Sequence, residues 1–384
     1  MRLPLIAVVL TLLVGNGPSV DDSQPGVLTQ ARGRALRFVT LLGRDTIAVE
    51  EALWAGDSLR GVILVREPAM MRFEYLLRAA PSGGFASVQA TQSVMSPDGW
   101  RVQNTATLTA FGDSVLMQTG PDGAERRVRA PAPLLSLPNS GALLWLAAQR
   151  VDASAADSVS IPWIAPLGGI GGRFIARRTQ GRSLEYRLSA GFAQMRRGED
   201  GEIVSVDARG TSLKIEMMPA QPGVLVETQE RWSRVRGGLL SPRDTVRARV
   251  GDAELLIDYG RPSVRGRDVF GDGVLGDSVW RTGANAATQL QITRPIQFAN
   301  GTLEPGMYSL FTRISAERAD LIVNRRSGIW GTQYDAAANL LSVPMERRRA
   351  EFMEQFRIAV DSVQPAIVLR WADQEFRVPF AVRR

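Results

Sequence analysis

Apolar and polar residues alternate at period two over most of this chain, which restricts it to extended strands that each bury one face. Residues 36–41, 72–78 and 184–188 show the pattern. Tight turn signals punctuate it. Pro97-Asp98-Gly99, Pro121-Asp122-Gly123 and Glu199-Asp200-Gly201 each carry Asp-Gly, a pair that tolerates the positive φ of a type I′ turn. The last separates 191–197 from 202–208 and predicts an antiparallel hairpin. Asn300-Gly301 gives the same signal between 296–298 and 302–303. It also forms an Asn-Gly-Thr sequon, but the turn reading is preferred.

One segment leaves this period. Asn139-Ser140 can cap a helix over 141–150, with Leu143, Leu144, Leu146 and Ala147 on its apolar face. A weaker helical pattern covers 345–352. The fold class is mainly β: an N-terminal curved antiparallel sheet with one packed helix, then a C-terminal antiparallel β-sandwich or barrel-like domain. Residues 233–244 are polar and punctuated by Gly and Pro, which places a boundary there. The resulting division is 1–20 signal peptide, 21–30 disordered leader, 31–235 N-terminal β-rich domain with one helix, and 245–384 C-terminal β domain. The signal peptide rests on Arg2, the apolar run 3–14, the small residues Gly15, Gly17 and Ser19, and the polar start Asp21-Asp22. It implies a periplasmic or secreted protein with no transmembrane span in the mature chain.

Absences narrow the chemistry. The 384 residues include no Cys and no His. That excludes disulfides, thiol catalysis, His- or Cys-ligated metals and a Ser-His-Asp triad. The net charge is +7, and Lys214 is the single lysine among 46 basic residues. The arginines are scattered beside acids and apolar residues, without interleaved stacking aromatics, so nucleic acid is not an expected partner. No cofactor and no metal are expected. Gly168 to Gly172 is not a dinucleotide loop and reads as a hinge or bulge in a loop. Lys214 reads as a strand residue with Ser212 two positions before it, so no Ser-x-x-Lys dyad exists. Carboxylate pairs such as Asp252/Glu254 and Glu227/Glu230 could in principle serve glycoside chemistry, but scattered surface acids look the same in one sequence.

The densest informative stretch runs from Asp258 to Gly271, followed by Val279 to Asn285. Arg261, Arg265, Arg267 and Arg281 bring donor forks suited to carboxylate, phosphate or sugar hydroxyls. Tyr259 and Trp280 bring flat faces, and Asn285 a bidentate amide. Asp258, Tyr259, Arg261, Arg265, Arg267, Trp280, Arg281 and Asn285 are therefore candidate ligand-binding residues. The same residues, Asp258 with Arg261 or Arg267 with Asp268, equally suit pins that hold loops over a sheet end.

The blocks YGRPSVRGRDVFG (259–271), WRTGAN (280–285), LEPGMYSL (303–310) and Trp330-Gly331 resemble a family of exported bacterial β-domains catalogued only as a domain of unknown function. The resemblance covers about 245–384. It implies a mainly antiparallel β-domain in an envelope or secreted protein, and no activity. In that family an acid often follows the Gly-Ala-Asn triplet; here Ala286 stands there, so no general acid is expected at that position. The 31–235 half resembles, in architecture alone, periplasmic half-barrels that grip a helix and carry lipids. The overall reading is an exported, non-catalytic ligand- or partner-binding protein, its partner a glycan, an anionic or apolar small ligand, or an envelope protein. The alternatives are an envelope-polymer hydrolase using Asp258 or Asp268, and an apolar-ligand carrier using the N-terminal sheet.

Overall fold

A computed structural model describes residues 33–383, apart from 68, 82, 121–122, 124, 168–169, 188–190, 235–238, 272–274 and 276–277. The signal peptide, the leader, the Pro121-Asp122 turn, Gly168-Gly169 and part of the 233–244 boundary lie outside the described residues. The protein is mainly β, in several antiparallel sheets, and the described residues form no closed barrel.

The first sheet has fifteen strands. Arg34–Leu42 starts near its middle, and successive hairpins walk outward to the edge strand Arg126–Arg129. The chain then crosses over through Leu134–Leu135 and helix α1 (Gly141–Asp152) to the far edge. It returns strand by strand until Ile215–Pro219 pairs with Arg34–Leu42. All pairings are antiparallel except the short contact of Leu134–Leu135 with Ser158–Ala165. Hairpins form at the turn signals that can be read, where Ser96 pairs with Gly99, Arg197 with Ile203 across a bulge, and Phe298 with Gly301, but they are not type I′ turns, since Asp98, Asp200 and Asn300 have no positive φ.

Helix α1 lies inside this sheet. The Ser140 side chain accepts a hydrogen bond from the Leu143 N–H at 3.1 Å, which caps the helix as the sequence indicates. Its entry is tight: a Cβ on Gly141 would overlap the ring of Phe38. Leu143, Leu144, Trp145, Ala147, Ala148 and Val151 are buried against residues from both wings of the sheet, Phe38, Leu36, Phe174, Val206 and Met217 among them.

Four expectations need correction. Residues 345–352 are not helical; Glu346–Asp361 is one long strand paired with Ala366–Pro379. A second helix, α2 (Val224–Ser233), stands where strand and turn were expected and carries Glu227 and Glu230. It packs Trp232, Val224 and Leu225 on the outer face of the sheet, against Val49, Leu64 and Met70. Lys214 is not on a strand. It sits just before Ile215–Pro219 with φ +60°, in the left-handed region. Likewise Gly171 and Gly172 belong to strand Ile170–Arg178, with Trp163 lying over Gly172.

The second core belongs to residues 250–380. A sheet ordered Arg243–Val250, Ala253–Gly260, Thr288–Ile292, Gly306–Ile314, Ala319–Asn324 and Asn339–Pro344 forms one layer. The long hairpin Glu346–Asp361/Ala366–Pro379 forms the other, in a sandwich-like arrangement. Tyr259, Leu290, Leu310 and Val323 from the first layer meet Phe356, Ile358, Leu369 and Trp371 from the second.

Candidate functional site

The motif loops around 258–285 do not converge on one open pocket. Asp258 faces Arg243 across the strand pair and is ion-paired with it, with the Arg243 Nε donating at 2.6 Å. Tyr259 is fully buried; its hydroxyl accepts from the Ile358 N–H at 3.0 Å and so ties the sheet to the hairpin. Trp280 stacks on Trp371 at 5.4 Å and meets the edge of Phe356. Asn285, with φ +64°, gives its carbonyl to the Gly331 N–H at 3.0 Å. Arg261 pairs with Asp244 at 3.2 Å and donates to the Phe356 carbonyl.

The other three arginines lie toward the N-terminal sheet. Arg265 pairs with Asp45 and donates to the Leu240 carbonyl at 2.9 Å. Its own carbonyl accepts from the Arg44 N–H at 2.9 Å. Arg267 donates to the carbonyls of Val264 and Ser263, and burial holds its guanidinium down to about 10. Arg281 reaches the Ser212 carbonyl at 3.4 Å and that of Asn285 at 3.5 Å; burial lowers it also. Of the eight candidates only Arg267 borders the wide groove that runs past Asp268, Phe270 and Gly271 to Phe352 and Asp373. Asp268 is occupied with the Gly271 N–H at 2.8 Å.

A different space opens beside α1. A cavity of about 80 Å³ lies between the helix start and the strands that return to the sheet centre. That is several times the room one water needs. Leu137, Leu144, Tyr186, Ala193, Val206, Ala208, Ile215 and Met217 line it, with Asn139, Ser140 and Thr211 as the polar members. A second void of about 30 Å³ shares Leu137, Ser140 and Leu144 and continues toward Trp163 and Phe174. Leu213, 52% exposed, lies at the first cavity's rim, so the space reaches the surface.

Two titratable residues adjoin its lining residues, Glu50 through Ser140 and Lys214 beside Leu213. Glu50 is completely buried and holds the helix start. Ser140 Oγ donates to it at 2.6 Å, Tyr75 at 2.7 Å, and the Ala142 N–H at 2.9 Å. Burial raises its pKa, against the lowering effect of these bonds. Lys214, the rim neighbour of Leu213, is held down to about 8 by burial, with Arg281 and Arg267 adding to it. Sequence reasoning missed both: Glu50 shows no motif, and Lys214 was weighed only as a partner for serine. Among the described residues no group of three or more Asp or Glu is placed to hold a metal.

Residues 241–380 match the model of a family described as a protein of unknown function, DUF2911. That segment contains all four motif blocks and the sandwich-like core. A crystal structure of a DUF1089 family protein from Pseudomonas aeruginosa is also similar, at 17% identity and a TM-score of 0.33. The similarity covers 42% of this chain and 89% of that one. No curated protein matches the chain. Among the described residues no helix is long and apolar enough to cross a membrane.

Proposed function

We propose that this chain is a non-catalytic binding protein of the cell envelope that takes a small apolar group into the cavity beside α1. The observation that carries the reading is the cavity itself, apolar on most of its wall and reaching the surface at Leu213. Closely packed interiors leave few such spaces, and an apolar wall stays dry and accepts an apolar guest. The motif arginines support it by contrast, because Arg261 and Arg265 are already engaged with Asp244 and Asp45. In this reading the DUF2911 segment buttresses the carrier sheet. Export, with the mature chain starting near residues 18–24, belongs to the same proposal and is checked by N-terminal sequencing of protein from the periplasm or medium.

The test is binding of xenon, read by its NMR chemical shift in the presence of the protein. Binding is expected in the wild type. Ala193→Phe places a ring in the cavity beside Val206, and it is expected to abolish binding with near-ultraviolet dichroism retained. Equal binding by that variant, or none by the wild type, refutes the reading.

A further inference from the structure

A groove of about 500 Å³ crosses the DUF2911 segment, where the motif loop 264–271 meets residues 347–352 and 372–374 of the long hairpin. Ligand sites run from roughly 300 to 1,000 Å³, so the groove has room that the voids beside α1 lack. Phe352 lines it, 61% exposed, and stacks on no other ring among the described residues. It falls inside a break in the hairpin register, between Arg349 and Met353, and a bulge of this kind re-aims a side chain. Ala372, the partner of Met353, also lines the groove and stands at φ +48°, a costly conformation for alanine.

The polar lining carries no net charge. Arg267, Arg347, Asp268 and Asp373 line the groove, and none of the four is in an ion pair among the described residues. Each is nonetheless held in place. Arg347 lies over the rings of Phe270 and Phe376, at 5.9 and 5.7 Å. Its Nη1 donates to the Ser315 carbonyl at 2.9 Å and its Nε to Gln374 Oε1 at 3.0 Å. Gln374 Nε2 in turn donates to Asp373 Oδ1 at 3.0 Å. This chain leaves a donor at one end, Arg347 Nη2, and an acceptor at the other, Asp373 Oδ2. On the loop side, Arg267 is pinned through Nε and Nη2 by the Val264 and Ser263 carbonyls, which leaves Nη1. Asp268 Oδ1 takes the Gly271 N–H, which leaves Oδ2. Groups fixed in advance lose little entropy when a ligand arrives. An anion here meets two carboxylates and a cation meets two guanidiniums. A hydroxyl both donates and accepts, so a neutral polyol satisfies both ends of each pair.

We propose that this groove binds a neutral oligosaccharide, with the C–H face of one sugar ring on Phe352 and its hydroxyls between the Arg347–Gln374–Asp373 chain and the Arg267 and Asp268 side chains. The inference stands apart from the cavity reading. It gives the RGRDVFG block (265–271) a ligand and the DUF2911 segment a binding role of its own.

The experiment applies the full chain to an array of neutral and acidic oligosaccharides, then measures the retained ones by titration calorimetry. Neutral glycans should be retained, and acidic glycans of the same length should bind no more tightly. Phe352 and Asp373 are exposed, so Phe352→Ala and Asp373→Ala should keep the wild-type thermal transition. Each should weaken binding of a retained neutral glycan about ten-fold, as loss of a central aromatic or charge-assisted contact does. Retention of no neutral glycan overturns the proposal. So does tighter binding of the acidic glycans, or an affinity that Phe352→Ala and Asp373→Ala leave unchanged.

Discussion

Glu50 joins three parts of the core through one carboxyl: Tyr75, the Ser140 cap and the Ala142 N–H in the first turn of α1. Its raised pKa sets the sign of a pH effect. A carboxyl raised on folding stabilises fully while protonated and loses that contribution as pH climbs through its folded value. Wild-type urea midpoints should therefore fall as pH rises above the ordinary carboxylate range, and Glu50→Gln, which stays neutral, should flatten the profile. Glu50→Ala leaves Tyr75 and the helix start unpaired and should cost about 2–4 kcal/mol. Gly260 is a second sensitive position, because a Cβ there would overlap the Ala284 carbonyl. Gly260→Ala should lower stability by about 1–3 kcal/mol in the same titrations, the usual cost of overpacking. The burial of Tyr259 was legible: strand alternation puts it on one face with Ala253, Leu255 and Ile257. Its aromatic face suggested a ligand, but the period already pointed it inward. The partner of each arginine was not legible, since Asp45 and Arg265 are remote in sequence and meet only after folding.

At the scale of elements, α1 was readable because its cap and its apolar face agree. Helix α2 was overlooked because its packed face is short, Thr228 and Trp232 buried with Val224 and Leu225 beside the sheet, and hides among charges. Residues 345–352 carry a helix-like pattern, yet pairing with Ala366–Pro379 overrides local propensity. The turn at Gly43-Arg44 and the loop 261–267 make a contact that neither stretch announces. Arg44 donates to the Arg265 carbonyl, and Arg265, only 13% exposed along its side chain, pairs with Asp45. Arg265→Ala should cost about 1–3 kcal/mol, less than a fully buried pair because Asp45 keeps some water. Scanning calorimetry should show the two halves of the chain melting further apart than in the wild type. A single unsplit transition at the wild-type temperature would mean that this contact holds nothing together.

For the whole molecule, two cores gather separate stretches of sequence, 36–217 and 250–380. Residues 241–384 should accordingly fold when expressed alone, with a cooperative thermal transition by circular dichroism. A broad, protease-labile product would show that the second core depends on the first. Sheet class and the helix inside the first sheet were legible because both follow from periodicity. The cavity was not, since alternation says which residues face inward and not whether they fill the space between them. The strand order has its own consequence for how the chain assembles. Each strand from Asp45–Ala55 to Arg126–Arg129 can dock on its predecessor as the chain lengthens. Phe38, however, faces Pro219, about 180 positions later. Closing so long a loop is slow, because its entropy is lost before any distant contact rewards it. Folding should thus end with a seam that knits two nearly finished half-sheets. Until that seam shuts, Arg34–Leu42 presents a bare hydrogen-bonding edge, the point at which a newly made chain is most exposed to pairing with another copy.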